Sequence, residues 1–340
     1  MNHLTEIGEL LSSPKRIAIT THLRPDGDAM GSSLGLYHYL IGQGHKVKVV
    51  APTDYADFIK WLPGTSEVII APDDMDHAKW TMEGADLIFC LDFNALHRVQ
   101  DLEAVVRDSE GKKILIDHHM DPDGFEDLRF WDDKASSTAE LIYRLIDGLG
   151  HLDQITFDVA ECLYTGIMTD TGSFRFTSTT PAVHRLVARL LETGISPTAI
   201  YDRVMSTSTL DRLKFLGHCL SERLRFLPEY KTAYLMVPQE VFKAYNVKSG
   251  DTEGLVNYAL GMKGVNLGVL MTVQDNLVKM SFRSRGGVNS AELASNFSGG
   301  GHFYASGGRS NVSLEDTEKK LLELLEANKA MLMLDELPVA

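Results

Sequence analysis

Apolar runs fit to be buried on both faces alternate with helical patterns through the first part of this chain, and no other feature constrains the fold as much. RIAITT (Arg16 to Thr21), VKVVA, ADLIFCLDF and KKILIDHH are strand-like, short and rich in β-branched or large apolar residues. Helical patterns lie between or after them. Leu34, Tyr37 and Ile41 recur at helical spacing within Ala29 to Ile41, and Ser137 followed by Glu140 makes a capping-box start for a helix from Thr138 to Leu149. This alternation predicts an α/β fold: a parallel sheet with helices on both faces. Such sheets bind ligands beyond the carboxyl ends of their strands. At that edge stand His22, Asp26 and Asp28 in HLRPDGD, Asp92 in LDF, and Asp117, His118 and His119 in DHH. Asp170 is expected in a polar loop, TDTGSFRFTSTTP, that interrupts a helical stretch from Asp158 to Arg203.

Taken singly, a His or Asp after a strand is a cap or a turn former. The conjunction says more. Pro25 and Gly27 bend the first loop so that its side chains can turn to one point, and Asp26 and Asp28 would repel each other unless a divalent cation lay nearby. Oxygen donors mixed with imidazoles suit Mn²⁺, with Mg²⁺, Co²⁺ and Fe²⁺ as alternatives, while the lack of Cys among them argues against structural zinc. Six or seven ligands exceed what one ion with an open position needs, so two ions bridged by a shared carboxylate are expected. Such a pair serves in-line displacement at phosphorus by a hydroxide bridging the metals. Cys90, Cys162 and Cys219 lack paired spacing and read as buried free thiols of a reducing cytoplasm. The net charge of −14 argues against coating long nucleic acid, but not against a small phosphorylated substrate.

After a connecting helix over Ser206 to Arg223 the order changes: strand-like YKTAYLMV, helices near Pro238 to Tyr245 and Thr252 to Met262, then LGVLMTVQ and LVKMSFRS around an Asp275-Asn276 turn. A final amphipathic helix spans Leu314 to Met331. The domains are expected at 1–200, with a linker at 201–224, and a smaller α+β domain at 225–335. Within that second domain Lys263, Lys279, Arg283, Arg285 and Arg309 outnumber Asp275 and Glu292 from Tyr258 to Ser310, a basic stretch in an acidic chain. Gly299, Gly300, Gly301 and His302 read either as a tight turn or as a backbone nest for an anion.

HLRPDGD, LDF, DHH and TDTG, in this order and at these separations, resemble the four motifs of the DHH phosphoesterases, and SFRSRGGVNSAELASNFSGGGHFYASGG resembles the DHHA1 domain. The resemblance implies a metal-dependent phosphoesterase. It implies His22 and Asp26 on one metal, Asp28, His118 and Asp170 on the other, and Asp92 bridging. Asp117 would orient the histidines, and His119 would face the scissile phosphate. It implies substrate contacts from Arg283, Arg285 and the Gly299–His302 run. The family's run often has four glycines; here Ser298 precedes three.

Two-domain chains of this kind resemble the NrnA-like group, oligoribonucleases that also remove the 3′-phosphate of 3′-phosphoadenosine 5′-phosphate (pAp). The implied substrates are short nucleotides such as pApA and pAp. A cyclic di-AMP phosphodiesterase and a non-catalytic nucleotide-sensing module are the alternatives. With no basic start before an apolar run and no apolar stretch near the ~20 residues of a membrane span, a cytoplasmic protein is expected. Its apolar helices are compatible with a homodimer, although no segment signals one.

Overall fold

The structure is a computed structural model that describes residues 3–206, 208–248, 250–274 and 277–334. It divides into two compact units, Met1–Thr207 and Ser208–Ala340.

The first unit is built on six strands: β1 (Arg16–Thr21), β2 (Lys46–Ala51), β3 (Ile69–Ile70), β4 (Leu87–Leu91), β5 (Lys112–Asp117) and β6 (Leu128–Trp131). Their order is β3-β2-β1-β4-β5-β6, and every pair is parallel. The expected four runs are all strands. β3 and β6 were not legible, because two residues and a four-residue LRFW between charged segments carry too little pattern. Alternate residues point to opposite layers: Ile17, Ile19, Phe89 and Ile116 enter the core with helices Gly27–Gly42, Thr138–Gly148 and Phe157–Asp170. Ala18, Ile88, Cys90 and Leu115 face helices Met75–Glu83 and Glu103–Asp108. Both faces are covered, which is why these strands are apolar throughout.

Helix Gly27–Gly42 is buried along most of its length against helix Phe157–Asp170. Glycine permits that approach: a Cβ at Gly31 would stand 2.6 Å from the Cys162 carbonyl oxygen, and one at Gly27 would meet Thr169 at 2.4 Å. Because Thr169 adjoins Asp170, this packing ties the first acidic loop to the last acid of the set.

Three helix expectations need correction. Asp170 is not in a loop: it is the last residue of helix Phe157–Asp170, and the turn begins at Thr171. The connecting segment is a helix only over Leu210–His218, continuing as a π-turn at Cys219–Arg223. The final helix breaks at Asn328 into Leu314–Ala327 and Lys329–Leu332.

The second unit holds a mixed sheet of β7 (Leu224–Leu227), β8 (Thr232–Val237), β9 (Leu267–Gln274), β10 (Leu277–Ser284), β11 (Gly300–Gly301) and β12 (Ala305–Ser310), ordered β11-β12-β10-β9-β8-β7. All neighbours are antiparallel except β8 and β9. The expected Asp275-Asn276 turn between β9 and β10 lies outside the described residues. Cys90, Cys162 and Cys219 are free and buried. No helix among the described residues is long and apolar enough to cross a membrane.

Candidate active site

The strand order fixes where the site forms. In a sheet ordered 3-2-1-4-5-6 the connections leave in opposite directions from the two central strands, opening a crevice between β1 and β4. Thr21 pairs with Leu91 in that register, so His22 and Asp92 are the first residues beyond the sheet on either side of the crevice. Leu91 pairs with Ile116, and the Asp92 N–H donates to the Ile116 carbonyl at 3.1 Å, which sets Asp117 to His119 alongside. Asp92 takes a left-handed backbone with φ +64°, a conformation that Asp tolerates better than most residues and that recurs at functional sites.

Every expected metal ligand is drawn into this cluster. Three groups of donor atoms lie within 4.8 Å of one another: His22, Asp26 and Asp92; Asp28, His118 and Asp170; and Asp92, His118 and His119. Asp92 divides its oxygens between them. Oδ2 lies 3.4 Å from His22 Nε2, while Oδ1 lies 3.6 Å from His118 Nε2 and 3.7 Å from His119 Nδ1. Asp170 and Asp28 approach His118 Nε2 at 3.5 and 3.9 Å.

The histidines are oriented for coordination. His22 Nδ1 sits 2.8 Å from the Leu23 carbonyl and His118 Nδ1 3.3 Å from that of Ala135. A carbonyl only accepts, so each Nδ1 carries the proton, and in the neutral ring each Nε2 turns a lone pair toward the carboxylates. Asp117, fully buried, holds His119 through Nδ1 at 2.7 Å. It was expected to orient both histidines; His118 is held by the Ala135 carbonyl instead.

The charges fit cations. Burial, with the charges of Asp92, Asp170 and Asp26, pushes the Asp28 carboxyl well above the usual carboxylate range. Burial and the same repulsion from Asp92 and Asp26 push Asp170 up to about 7, against the pull of His118. Asp92 goes the other way: burial opposes its charge, but the His22 hydrogen bond and the three surrounding imidazoles outweigh that and hold it low. Crowded acids that resist ionisation among inward-facing imidazoles are a donor set that divalent cations would satisfy.

Two contributors were not foreseen. The N-terminus of helix Thr138–Gly148 grips the acids: the N–H groups of Thr138 and Ala139 donate to Asp28 at 2.6 and 2.9 Å, and the Thr138 hydroxyl donates to Asp92 at 2.9 Å. The sequence signalled this helix start only as a cap. Ser137 does cap it, but Glu140 reaches back to the Ser136 N–H instead of that of Ser137. Arg98 is the other: its carbonyl accepts from the Leu23 N–H at 2.8 Å, and its charge is felt at His22 and His119. Thr138→Val removes the hydroxyl that orients Asp92, and a loss of roughly 10- to 100-fold in divalent-metal affinity is expected with little change in fold. Titration calorimetry of both proteins checks this, and equal affinities would free Thr138 of that role.

In the second unit, Arg283 on β10 pairs with Ala305, beside a turn in which the His302 N–H donates to the Ala305 carbonyl at 2.8 Å. The glycines divide in function. A Cβ at Gly299 would stand 2.0 Å from the Gly307 oxygen and one at Gly301 2.7 Å from that of Ala305, whereas Gly300 has nothing within 4 Å. Close strand pairing therefore accounts for Gly299 and Gly301, and Gly300 alone presents an open backbone. Ser298 holds φ +49°, where glycine would be less strained, which fits the family's preference there. Arg285 lies past the end of β10, exposed, with its N–H on the Asn266 carbonyl.

Residues 16–167 match the DHH family, N-terminal domain, and residues 230–331 match the DHHA1 domain. The chain is 34% identical over 325 residues to the bifunctional oligoribonuclease and PAP phosphatase NrnA of Thermus thermophilus, covering 95% of this chain and 92% of that protein. It is 29% identical to the protein of the same name from Bacillus subtilis, over 94% of this chain and 97% of that one. Among solved structures, an exopolyphosphatase-related protein from Bacteroides fragilis matches with a TM-score of 0.94 and 36% identity over 97% of each chain. With both domains in sequence and a likeness running almost end to end, the chain belongs to the DHH family and carries a DHHA1 domain behind its DHH domain.

Proposed function

We propose that this chain is a divalent-metal-dependent phosphoesterase that hydrolyses short nucleotides, both dinucleotides such as pApA and pAp, with Mn²⁺ as its preferred ion. The observation that carries the reading is the division of Asp92, whose two oxygens face two separate donor groups. The names of the Thermus and Bacillus relatives support the substrate class. His22 and Asp26 would hold one ion, Asp28, His118 and Asp170 the other, and Asp92 both. When bound, the ions would supply a water of lowered pKa and neutralise charge on the phosphoryl group.

The chain's own groups do the rest. The helix N-terminus at Thr138 and Ala139 keeps Asp28 aimed inward. Burial disfavours a charged His119, but the Asp117 hydrogen bond and the Asp92 charge overcome that and raise its proton affinity. A protonated His119 is suited to donate a hydrogen bond to a phosphoryl oxygen, which gathers charge as the bond to the leaving group breaks. In the second unit the Gly300 backbone, His302 and Arg283 are the groups suited to contact a nucleotide's phosphate or base.

The test is a product assay with one preparation and Mn²⁺ against pAp, pApA, cyclic di-AMP, short RNAs and polyphosphate. AMP from pApA and phosphate from pAp are expected, and both should cease with a chelator. Binding without turnover across Mn²⁺, Mg²⁺, Co²⁺ and Fe²⁺ would overturn the reading in favour of a nucleotide sensor.

A further inference from the structure

Among the described residues of the first unit, half-buried arginines pair with acids, with one exception. Arg129 meets Glu126, and Arg144 meets Asp132 at 2.9 Å and Glu140 at 3.4 Å. Arg98 is half-buried too, yet among the described residues its guanidinium has no carboxylate, carbonyl or aromatic partner. Withdrawing a cation from water without a partner costs stability, so folding alone gives no reason for this placement. An anion from outside the chain does.

The segment that carries Arg98 fixes its position. After Asp92 the chain enters a 3₁₀ helix, Leu96–Leu102, in which Leu96, Val99 and Leu102 recur at three-residue spacing and join the core of Ile88, Cys90 and Leu115. Arg98 lies off that buried row. Its carbonyl accepts from the Leu23 N–H at 2.8 Å, which sets it beside His22, and its charge reaches both His22 and His119. Two residues on, Gln100 takes φ +48° and ψ −118°, a combination ordinarily left to glycine. Strain of this kind persists where the surroundings hold a segment in place, and it gathers at ligand clamps.

We infer that Arg98 is a specificity-determining residue: it meets the scissile phosphate on the His22 and His119 side and takes the terminal oxygen that a phosphomonoester has and a diester lacks. The scissile diester of pApA spreads one negative charge over two terminal oxygens. The 3′-phosphate of pAp has three, and with a second pKa near 6 it carries about two charges at pH 8. That third oxygen stands where the diester keeps its second ester oxygen, and it calls for one more cationic donor. A guanidinium supplies two N–H groups in one plane, the arrangement that suits phosphate oxygens. Arg98 therefore sets the balance between pAp and dinucleotides. This inference rests on the phosphoesterase reading above and concerns the specificity of that same site.

The test compares wild type with Arg98→Gln and Arg98→Lys on pAp and pApA at pH 8 with Mn²⁺. In Arg98→Gln, kcat/KM should fall about 100-fold for pAp and at most about tenfold for pApA, so that their ratio drops at least about tenfold. Arg98→Lys keeps the charge and should recover part of that ratio. A ratio cancels any loss of folded or metal-loaded enzyme, which both substrates share. Two further readouts need no turnover. By calorimetry, inorganic phosphate should bind Mn²⁺-loaded Arg98→Gln about tenfold more weakly than wild type, the loss of one charge-assisted contact. Mn²⁺ alone should bind the variant as tightly as wild type or more tightly, because a neighbouring positive charge is gone. An unchanged substrate ratio, undiminished phosphate binding, or weaker Mn²⁺ binding, which would make Arg98 a support of the metal site, overturns the inference. If wild type hydrolyses neither substrate, the phosphoesterase reading fails, while phosphate binding still decides whether Arg98 meets a phosphate.

Discussion

Asp92→Asn should lower turnover by about three orders of magnitude while the protein folds normally. The carboxylate is buried, each of its oxygens faces a different donor group, and the Thr138 hydroxyl fixes its plane. Removing one preorganised electrostatic group from a catalytic site costs roughly 10²–10³ in rate. Asp92 belongs to both groups, so the upper end or beyond is expected. The choice of substitution matters for the fold. At φ +64° an alanine pays about 1–2 kcal/mol that Asn largely escapes, because a short polar side chain tolerates the left-handed region. Asp92→Ala should therefore be equally inactive and also less stable than Asp92→Asn. Steady-state kinetics with Mn²⁺ on a dinucleotide, beside thermal melts of both variants, checks both parts. Substantial residual turnover in Asp92→Asn would remove the bridging role.

Much of this site was legible because each ligand follows a signal of its own. β1, β4 and β5 are apolar on both sides and end abruptly at His22, Asp92 and Asp117, so the sequence places these residues at one sheet edge before any coordinates are known. Strand order is a different kind of information. That β1 and β4 are neighbours, and that His22 therefore lies across a crevice from Asp92, depends on long-range pairing that no local period encodes. Asp170 was misplaced for a related reason: TDTG has the composition of a turn, yet the helix runs on to Asp170 because its buried face packs on the glycines of helix Gly27–Gly42. Thr138 was hidden behind a correct observation. Ser137 capped the helix as expected, but only the fold shows that the N–H groups left over point at an acid 110 residues away. In the second unit β11 and β12 are Gly and Ser rich and carry no apolar alternation, so these two strands left no trace in the pattern.

Stripped of divalent cations, the protein should lose stability as pH rises from about 5 to 8, and metal should restore it most at the alkaline end. Asp170, held at about 7 against an ordinary 3.8, binds its proton more tightly folded than unfolded. Its stabilising contribution is complete below the ordinary carboxylate range and is lost as pH climbs through about 7. Asp28, raised by burial and its acidic neighbours, has the same sign. So do His22 and His119: burial opposes their protonation, but carboxylate hydrogen bonds and charges raise them above 6.5, and their contribution fades as pH rises past the folded values. Asp92 is depressed, so its contribution persists across this window and falls away only in strong acid. The Asp170 side chain is about one-third exposed, and solvent screening reduces its share to about 1–2 kcal/mol, a shift near 5 °C in a domain of this size. Asp170→Asn should flatten that slope and melt higher than wild type at pH 8 without metal. Adding Mn²⁺ reverses the order, because protons no longer compete for the ligands and binding stabilises by roughly 4 kcal/mol at a thousandfold excess over Kd. Melts at pH 5 and 8, with chelator and with Mn²⁺, decide the matter: a metal-free melting temperature that rises with pH, or a gain from Mn²⁺ equal at both, would mean that these acids and imidazoles do not share one cation site.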